Sequence, residues 1–305
     1  MTDAATENRP LRLMPYGRAY KPFSIGLSQI ATTDWLEAEG DLGRYLDEKR
    51  QFLEADPDAI FRAAPDSLAA QQEALGLIVR HLGDEHRDTH RLDGAMMSMA
   101  GHTVDIADGT MPPLMRAGLL IADDLAVLTR HDGHWHLSAG FIAFPSSWSL
   151  AEKAGRPMDE VHADVPGFQG GTRNAAMVTR IFDNLKPDLP AERFNWSFKG
   201  SNALAMPVSK HLPEDPFRPV RPIGDNVLRV ERQTLRRLPE TGAILFTIKI
   251  HADPLAMVRR HPENRAIAAA MLKQLDGLTA EERAYKGMKD ADIDALSAYL
   301  REVLN

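Results

Sequence analysis

Two pairs of strand-like segments, each joined by a turn sequence, restrict the fold of this chain more than any other feature. Residues 125–130 and 135–144 flank Asp132-Gly133, a dipeptide that supplies the positive φ angles of a tight hairpin turn. Residues 227–238 and 243–250 flank the turn-forming sequence Pro-Glu-Thr-Gly. Because short connections join antiparallel neighbours, the sequence predicts an antiparallel sheet of at least two hairpins.

Helical spacing of apolar residues dominates the two ends of the chain. It predicts helices over residues 33–53, 67–82, 148–154, 172–185, 262–275, 279–285 and 290–304. Thr279 and Glu282 form a capping-box signature at the start of one of them. Residues 84–116 match no period and are interpreted as a long connection. The pattern predicts an α+β fold, an antiparallel sheet flanked by N- and C-terminal helices.

The composition excludes several classes of chemistry. The 305 residues include no cysteine, which excludes disulfides, thiol catalysis and an iron–sulfur cluster bound through this chain's own thiolates. The net charge of -7 argues against nucleic acid and anionic membranes as partners. The polar start of the chain and the absence of an apolar run of about 20 residues predict a cytoplasmic protein. Dinucleotide-fold, P-loop, zinc-protease and nucleophile-elbow motifs are also absent from the sequence.

Among the 11 histidines, His162 is the strongest candidate for a functional role. It lies in Val161-His162-Ala163-Asp164-Val165-Pro166, a short apolar-flanked segment that ends at a proline. A neutral imidazole on such a backbone suits an axial haem ligand, and a hydrogen-bonded core histidine explains the pattern as well. His134 and His136, two apart on a predicted strand, could bind a metal together or line a solvated face.

The basic strand beginning at Leu228 is a second candidate site. Alternation places Arg229, Glu231 and Gln233 on one face of this strand and Arg232 on the other. Arginine forks suit carboxylates such as haem propionates, although an exposed strand with cross-strand ion pairs explains the pattern equally well. Trp196 could cover a planar ligand or simply anchor the core.

A series of segments resembles the haem-dependent oxidative N-demethylase family, the group around the α subunit of dimethylamine-oxidising demethylase. The segments are Phe144-Pro145-Ser146-Ser147-Trp148-Ser149-Leu150-Ala151-Glu152-Lys153, the His162 segment, Asn195-Trp196, Leu228-Arg229-Val230-Glu231-Arg232-Gln233-Thr234-Leu235-Arg236-Arg237-Leu238-Pro239, and Thr241-Gly242-Ala243-Ile244-Leu245-Phe246-Thr247-Ile248. They extend over about residues 125–255, and their succession is more specific than any single segment. Where a basic residue is expected in the first segment, this chain has Ser147, which allows a different substrate.

The resemblance implies a PAS-like antiparallel sheet that binds haem b. It also implies monooxygenation of a secondary amine such as dimethylamine, in which dioxygen and external electrons hydroxylate an N-methyl group that leaves as formaldehyde. The electrons are expected from flavin and ferredoxin-type reductase subunits carrying FMN and an iron–sulfur cluster. The implied division of the chain is an N-terminal helical segment (1–116), the haem-binding core (117–255) and C-terminal helices (256–305).

The same resemblance assigns roles to individual residues. His162 is the expected proximal haem ligand and metal ligand, and Glu231 and Arg229 are the expected catalytic residues. Further cofactor contacts are expected from Arg232, Arg237, Asn195 and Trp196. A PAS-like haem or small-ligand sensor without turnover is the alternative function.

Overall fold

The computed structural model describes residues 11, 13–19, 21–38, 40–208 and 215–305. The polar stretch 1–10, on which the expected cytoplasmic location partly rests, lies outside the described residues. In the described part, no helix is both long enough and apolar enough to cross a membrane.

The strands build two antiparallel sheets. In chain order they are β1 (Ser28–Gln29), β2 (Phe61–Ala63), β3 (His90–Asp93), β4 (Met96–Met99), β5 (His102–Asp105), β6 (Asp124–His131), β7 (His134–Phe141), β8 (Ala191–Lys199), β9 (Val227–Arg237) and β10 (Ile244–Pro254). Across the described residues the large sheet has the order β1-β8-β9-β10-β6-β7-β2, and the small sheet is β3-β4-β5. All the pairings are antiparallel.

Both predicted hairpins are confirmed. β6 pairs with β7 around Asp132 and Gly133, whose φ angles are 48° and 82°. β9 pairs with β10 over eleven residue pairs, from Ile244 opposite Arg237 to Pro254 opposite Val227. These two hairpins lie side by side because β10 also pairs with β6.

The helices are α1 (Leu42–Ala55), α2 (Pro57–Ile60), α3 (Leu68–Glu85), α4 (Pro113–Gly118), α5 (Leu150–Lys153), α6 (Met158–Val161), α7 (Arg173–Asn184), α8 (Ala256–Arg260), α9 (Asn264–Asp276), α10 (Ala280–Tyr285) and α11 (Asp290–Leu304). The predicted α+β class is confirmed. The capping box of Thr279 and Glu282 forms at the start of α10, and Thr172 caps α7 by accepting from the Ala175 amide at 3.2 Å.

Two expectations about local structure are wrong. Residues 84–116 are not a plain connection, because they contain the small sheet β3–β5 and the short helix α4. The first helix begins at Leu42 and not near Thr33, since Gly40 takes a φ of 99° that a helix does not allow.

The two faces of β9 and β10 differ in how they are covered. On one face Leu228 and Val230 pack into a core with residues of α9 and α11, and Thr234 and Thr247 are 0% exposed. We call this the closed face. The other face carries Arg229, Glu231 and Gln233 of β9 and Phe246 and Ile248 of β10; we call it the open face, and α5 to α7 pack over part of it.

Candidate functional site

The open face is incompletely covered over the middle of the sheet, and we use the word cleft for this partly exposed area around Glu231, Phe246 and Ile248. β9 and β10 are the third and fourth strands from one edge, where both faces are normally covered. Glu231, Phe246 and Ile248 nevertheless remain only half-buried. A charged group beside apolar side chains at the centre of a sheet is a setting in which a ligand could be bound.

Glu231 occupies the polar part of this cleft. Its Oε2 accepts from the Gln233 side-chain amide at 2.8 Å and from the Asn195 side-chain amide at 3.4 Å. Asn195 is opposite Glu231 in the register of β8 and β9, so both side chains share the open face. Oε1 of Glu231 accepts no hydrogen bond from the described residues, which leaves one carboxylate oxygen available to a ligand.

A cation lies beyond each of the two amides. Arg193 NH1 donates to Gln233 Oε1 at 3.0 Å, and Lys286 Nζ lies 3.5 Å from Asn195 Oδ1. The resulting sequence of groups is Arg193, Gln233, Glu231, Asn195 and Lys286, which we call the Glu231 row. The Nε of Arg193 is buried and has no hydrogen-bond partner in the described part of the chain, so this donor too is available.

His162 lies at the end of α6, over the same face of the sheet. Met158 and Val161 of α6 pack on the core that Leu128, Leu137 and Leu235 form on the open face. Lys153 fastens this segment, because its ammonium donates to the Val161 carbonyl at 2.7 Å and lies 3.5 Å from the Asp164 carboxylate.

The surroundings of His162 keep its imidazole neutral. Burial, together with the charges of Arg193 and Lys153, lowers the pKa of His162 to about 4. The ring contacts Phe168, with 6.2 Å between ring centroids, and makes no hydrogen bond to the described residues. A neutral imidazole with an unused nitrogen is the form that binds a metal, so the residues fit an axial haem ligand.

Arg229 supports the cleft without entering it. All three of its guanidinium nitrogens are used: Nε donates to Ser146 Oγ at 3.0 Å, NH1 to the Ala203 carbonyl at 3.0 Å and NH2 to the Phe144 carbonyl at 3.1 Å. Arg229 therefore ties the segment 144–148 and the loop at Ala203 to β9. Because every guanidinium nitrogen already holds part of this framework and the residue is only 1% exposed, its predicted catalytic role would have to be indirect.

Asp124 holds the backbone at the start of segment 144–148 by hydrogen bonds. Its carboxylate accepts from the amides of Ala143 at 2.9 Å and Phe144 at 2.8 Å. Complete burial raises the pKa of Asp124 to about 6, against the opposing effect of Lys49 and these two amides. The backbone that borders the cleft is thus positioned by two buried charged side chains, Asp124 and Arg229.

Three other predicted residues lie away from the Glu231 row. Arg232 is on the closed face, where it contacts Glu192 at 3.1 Å and donates to the carbonyls of Asp34 and Trp35. Trp196 is buried on that face too, donating to Gln274 at 2.8 Å. Arg237 is six positions from Glu231, about 20 Å along the strand, and bonds the end of α7.

The sequence argument missed Arg193 and Lys286. Arg193 precedes Asn195 by two positions, so recognising residues 191–199 as a strand would have placed both on one face. Lys286 has no comparable local signal, because only the packing of the C-terminal helices brings it to β8.

In the described residues the predicted histidine pair acquires no third metal ligand. Within the described ranges, no group of three or more potential histidine or carboxylate ligands is arranged to hold a metal ion. The His136 ring lies 5.7 Å from that of His131, and His134 is exposed beside the turn.

A comparison with protein families supports the resemblance. The profile of the family described as "Haem-dependent oxidative N-demethylase, alpha subunit-like" matches residues 26–294. The chain belongs to this family. The match includes β1 to β10, and it includes both His162 and Glu231 as well as Lys286 near its end. The family's name indicates haem dependence and an α subunit within a larger assembly.

Proposed function

We propose that this chain is the haem-b-binding subunit of an oxidative N-demethylase that acts on a small secondary amine such as dimethylamine. The observation that carries the proposal is that Glu231, on the partly exposed open face, and His162, over the same face, each keep a side-chain atom that makes no hydrogen bond to the described residues. Residues 117–255 would form the PAS-like core, and residues 1–116 and 256–305 would pack against it.

In this proposal His162 would hold the haem iron through its imidazole, and Arg193 Nε would donate a hydrogen bond to a haem propionate. Haem, when bound, supplies the reduction of dioxygen and the transfer of one oxygen atom to the substrate. The apolar side chains Phe246 and Ile248 offer the kind of surface that a porphyrin plane covers. Arg232, Trp196 and Arg237 are left out because their polar groups are used elsewhere.

Glu231 would hold the amine through Oε1, which accepts no hydrogen bond from the described residues and would accept an N–H of the substrate. Overall, the N-methyl amine, one O₂, two electrons and two protons give the demethylated amine, formaldehyde and water. One oxygen atom enters the C–H bond of the methyl group, and the C–N bond breaks when the carbinolamine collapses. Asn195 and Gln233 keep the carboxylate in place during the turnover.

The two electrons have to come from outside this chain. Without cysteine it has no thiolate for an iron–sulfur cluster. The description "alpha subunit-like" supports a multi-subunit assembly. We therefore propose that flavin and ferredoxin-type reductase subunits, carrying FMN and an iron–sulfur cluster, reduce the haem.

Formaldehyde release tests the function. The haem-loaded chain, supplied with dimethylamine, air and a ferredoxin-type reductase system, is expected to release formaldehyde in proportion to the amine consumed. Glu231→Gln should lower kcat/KM at least about tenfold, because a hydrogen bond to a charged group is worth roughly 1.5–3 kcal/mol. The control is Glu240→Gln, an exposed carboxylate at the β9–β10 turn, which should leave the rate unchanged.

Two results would contradict the proposal. Tight haem and gas binding without any formaldehyde would favour a sensor. Equal rates for Glu231→Gln and the wild type would show that the amine is bound elsewhere.

A further inference from the structure

Lys286 reaches the Glu231 row from the far end of the chain. It follows α10 directly, and its side chain is buried, with the residue only 8% exposed. The ammonium donates to the Trp196 carbonyl at 2.5 Å and lies 3.5 Å from Asn195 Oδ1. The rings of Phe23 and Trp196 each have their centroid 5.3 Å from Nζ.

A buried ammonium is costly unless partners compensate for the lost water. Burial lowers the pKa of Lys286 to about 8, and the charge of Glu231 opposes that shift. The carbonyl that it bonds belongs to a part of β8 that β1 does not reach, since β1 pairs only with Ala191 and Glu192. Lys286 thus lies along the edge of β8 where the described chain has no neighbouring strand.

The position of Lys286 also determines which way the Asn195 amide faces. An ammonium only donates, whereas a side-chain amide has an accepting oxygen at one end and a donating NH₂ at the other. With Oδ1 turned toward Lys286, Nδ2 is turned toward Glu231 Oε2, at 3.4 Å. Arg193 orients the Gln233 amide in the same way, at 3.0 Å.

We propose that Lys286 is a positioning residue of the Glu231 site. It holds the Asn195 amide with its NH₂ toward Glu231 Oε2, which leaves Oε1 as the oxygen presented to the substrate. In the absence of Lys286 the amide can turn its oxygen to the carboxylate, and repulsion then moves the carboxylate out of place. The identity of the ligand as a secondary amine rests on the function proposed above.

The test measures dimethylammonium chloride binding to the haem-loaded protein by calorimetry, without electrons or turnover. Lys286→Met removes the donor while keeping a similar side-chain length, and it should weaken binding by about 5- to 10-fold. The control is Lys273→Met, an exposed lysine in the last turn of α9, which should stay within about twofold.

A double-mutant cycle identifies the residue through which Lys286 acts. In an Asn195→Ala background the additional loss from Lys286→Met should shrink to less than about twofold, because the amide to be oriented is gone. An equal loss in both backgrounds, or no loss in either, overturns the proposal. Far-UV circular dichroism and a thermal melt establish that each variant is folded.

A second measurement remains available if Lys286→Met does not fold. The resonances of the Asn195 side-chain amide are assigned in ¹H–¹⁵N spectra by comparison with Asn195→Ala. In the wild type one of the two amide protons should exchange slowly, and the resonances should shift in Glu231→Gln. Unshifted resonances with two fast-exchanging protons overturn the proposal.

If Glu231→Gln leaves amine affinity unchanged, the proposed amine site itself fails; if it weakens affinity while Lys286→Met does not, only the role of Lys286 fails.

Discussion

Neighbouring residues of β9 illustrate what strand alternation could and could not predict. Alternation correctly placed Arg229 with Glu231 and put Arg232 on the opposite face. It could not show that the Arg229 guanidinium bonds Ser146 and two carbonyls, or that Arg232 contacts Glu192 and Trp35. Those partners come from distant parts of the chain, so the pattern predicted faces and not roles.

Glu37 provides a residue-scale prediction about stability. Its carboxylate lies 3.2 Å from His251, 3.3 Å from Lys249 and 3.8 Å from Arg232. Burial raises the pKa of Glu37, but the contact with His251 and the charges of Lys249 and Arg232 outweigh it and lower the pKa to about 2. The ionised form therefore stabilises the fold at neutral pH.

Glu37→Gln should lower the free energy of unfolding by about 2 kcal/mol at pH 7, and the loss should shrink as the pH falls from about 4.5 toward 2. The sign follows because the pKa of Glu37 is lower in the folded than in the unfolded protein. The carboxylate therefore stabilises the fold at pH values above its unfolded-state pKa, and this stabilisation is lost when the folded protein is protonated. Denaturant unfolding of both proteins across this range measures it. Glu48→Gln, in the Arg44 pair on the surface, is the control and should cost less than about 0.5 kcal/mol. A difference that does not vary with pH would contradict the assignment.

At the scale of elements, strand β10 is more buried on its mixed face than on its apolar face. Alternation separates the apolar set Ile244, Phe246, Ile248 and Ile250 from the mixed set Leu245, Thr247 and Lys249. A sequence rule would bury the whole apolar set. All three residues of the mixed set are buried, whereas Ile244 and Ile250 are buried but Phe246 and Ile248 are only half-buried. The mixed face is tolerated because Thr247 bonds Thr234 and Lys249 contacts Glu37.

Short elements were the ones that the sequence did not reveal. β3, β4 and β5 have four residues each, too few for alternation to stand out from chance. In β4 only Met97 and Met99 are buried, so the signal amounts to two residues. The two long hairpins have eight and eleven residues per strand, so their alternation of apolar and polar residues was long enough to recognise.

Close packing of α4 on β7 leads to a prediction at this scale. A Cβ on Gly118 would overlap the ring of Phe141, which is fully buried. Gly118→Ala is expected to destabilise the protein by at least about 1–3 kcal/mol, measured as a change in denaturant midpoint. Gly83→Ala in α3 is the matched control, because a Cβ there meets nothing within 4 Å and should be neutral or stabilising by up to about 1 kcal/mol. Equal behaviour of the two variants would show that α4 is free to move.

At the scale of the whole molecule, the ends of the chain complete the central sheet. β1 and β2, both from residues 1–116, form the outer strands, while α9 and α11 cover the closed face. The C-terminal part also supplies Lys286 to the Glu231 row. The division into three segments at 116 and 255 stays a prediction, and these contacts predict that residues 117–255 alone would lack part of the candidate site.

The candidate site was therefore predictable only in part. The resemblance led to His162, Glu231 and Asn195, which lie over or on the open face. Arg193 depended on recognising β8, and Lys286 depended on tertiary packing that no local pattern encodes.

Haem titration of the purified chain tests the central proposal most directly. Visible spectra are recorded for the wild type, for His162→Ala and for His134→Ala, whose exposed ring is the matched control. We predict a saturable Soret band at one haem per chain for the wild type and His134→Ala, and a weakened or shifted band for His162→Ala. The absence of saturable binding would contradict haem dependence of this chain, and an unchanged spectrum in His162→Ala would contradict its role as axial ligand.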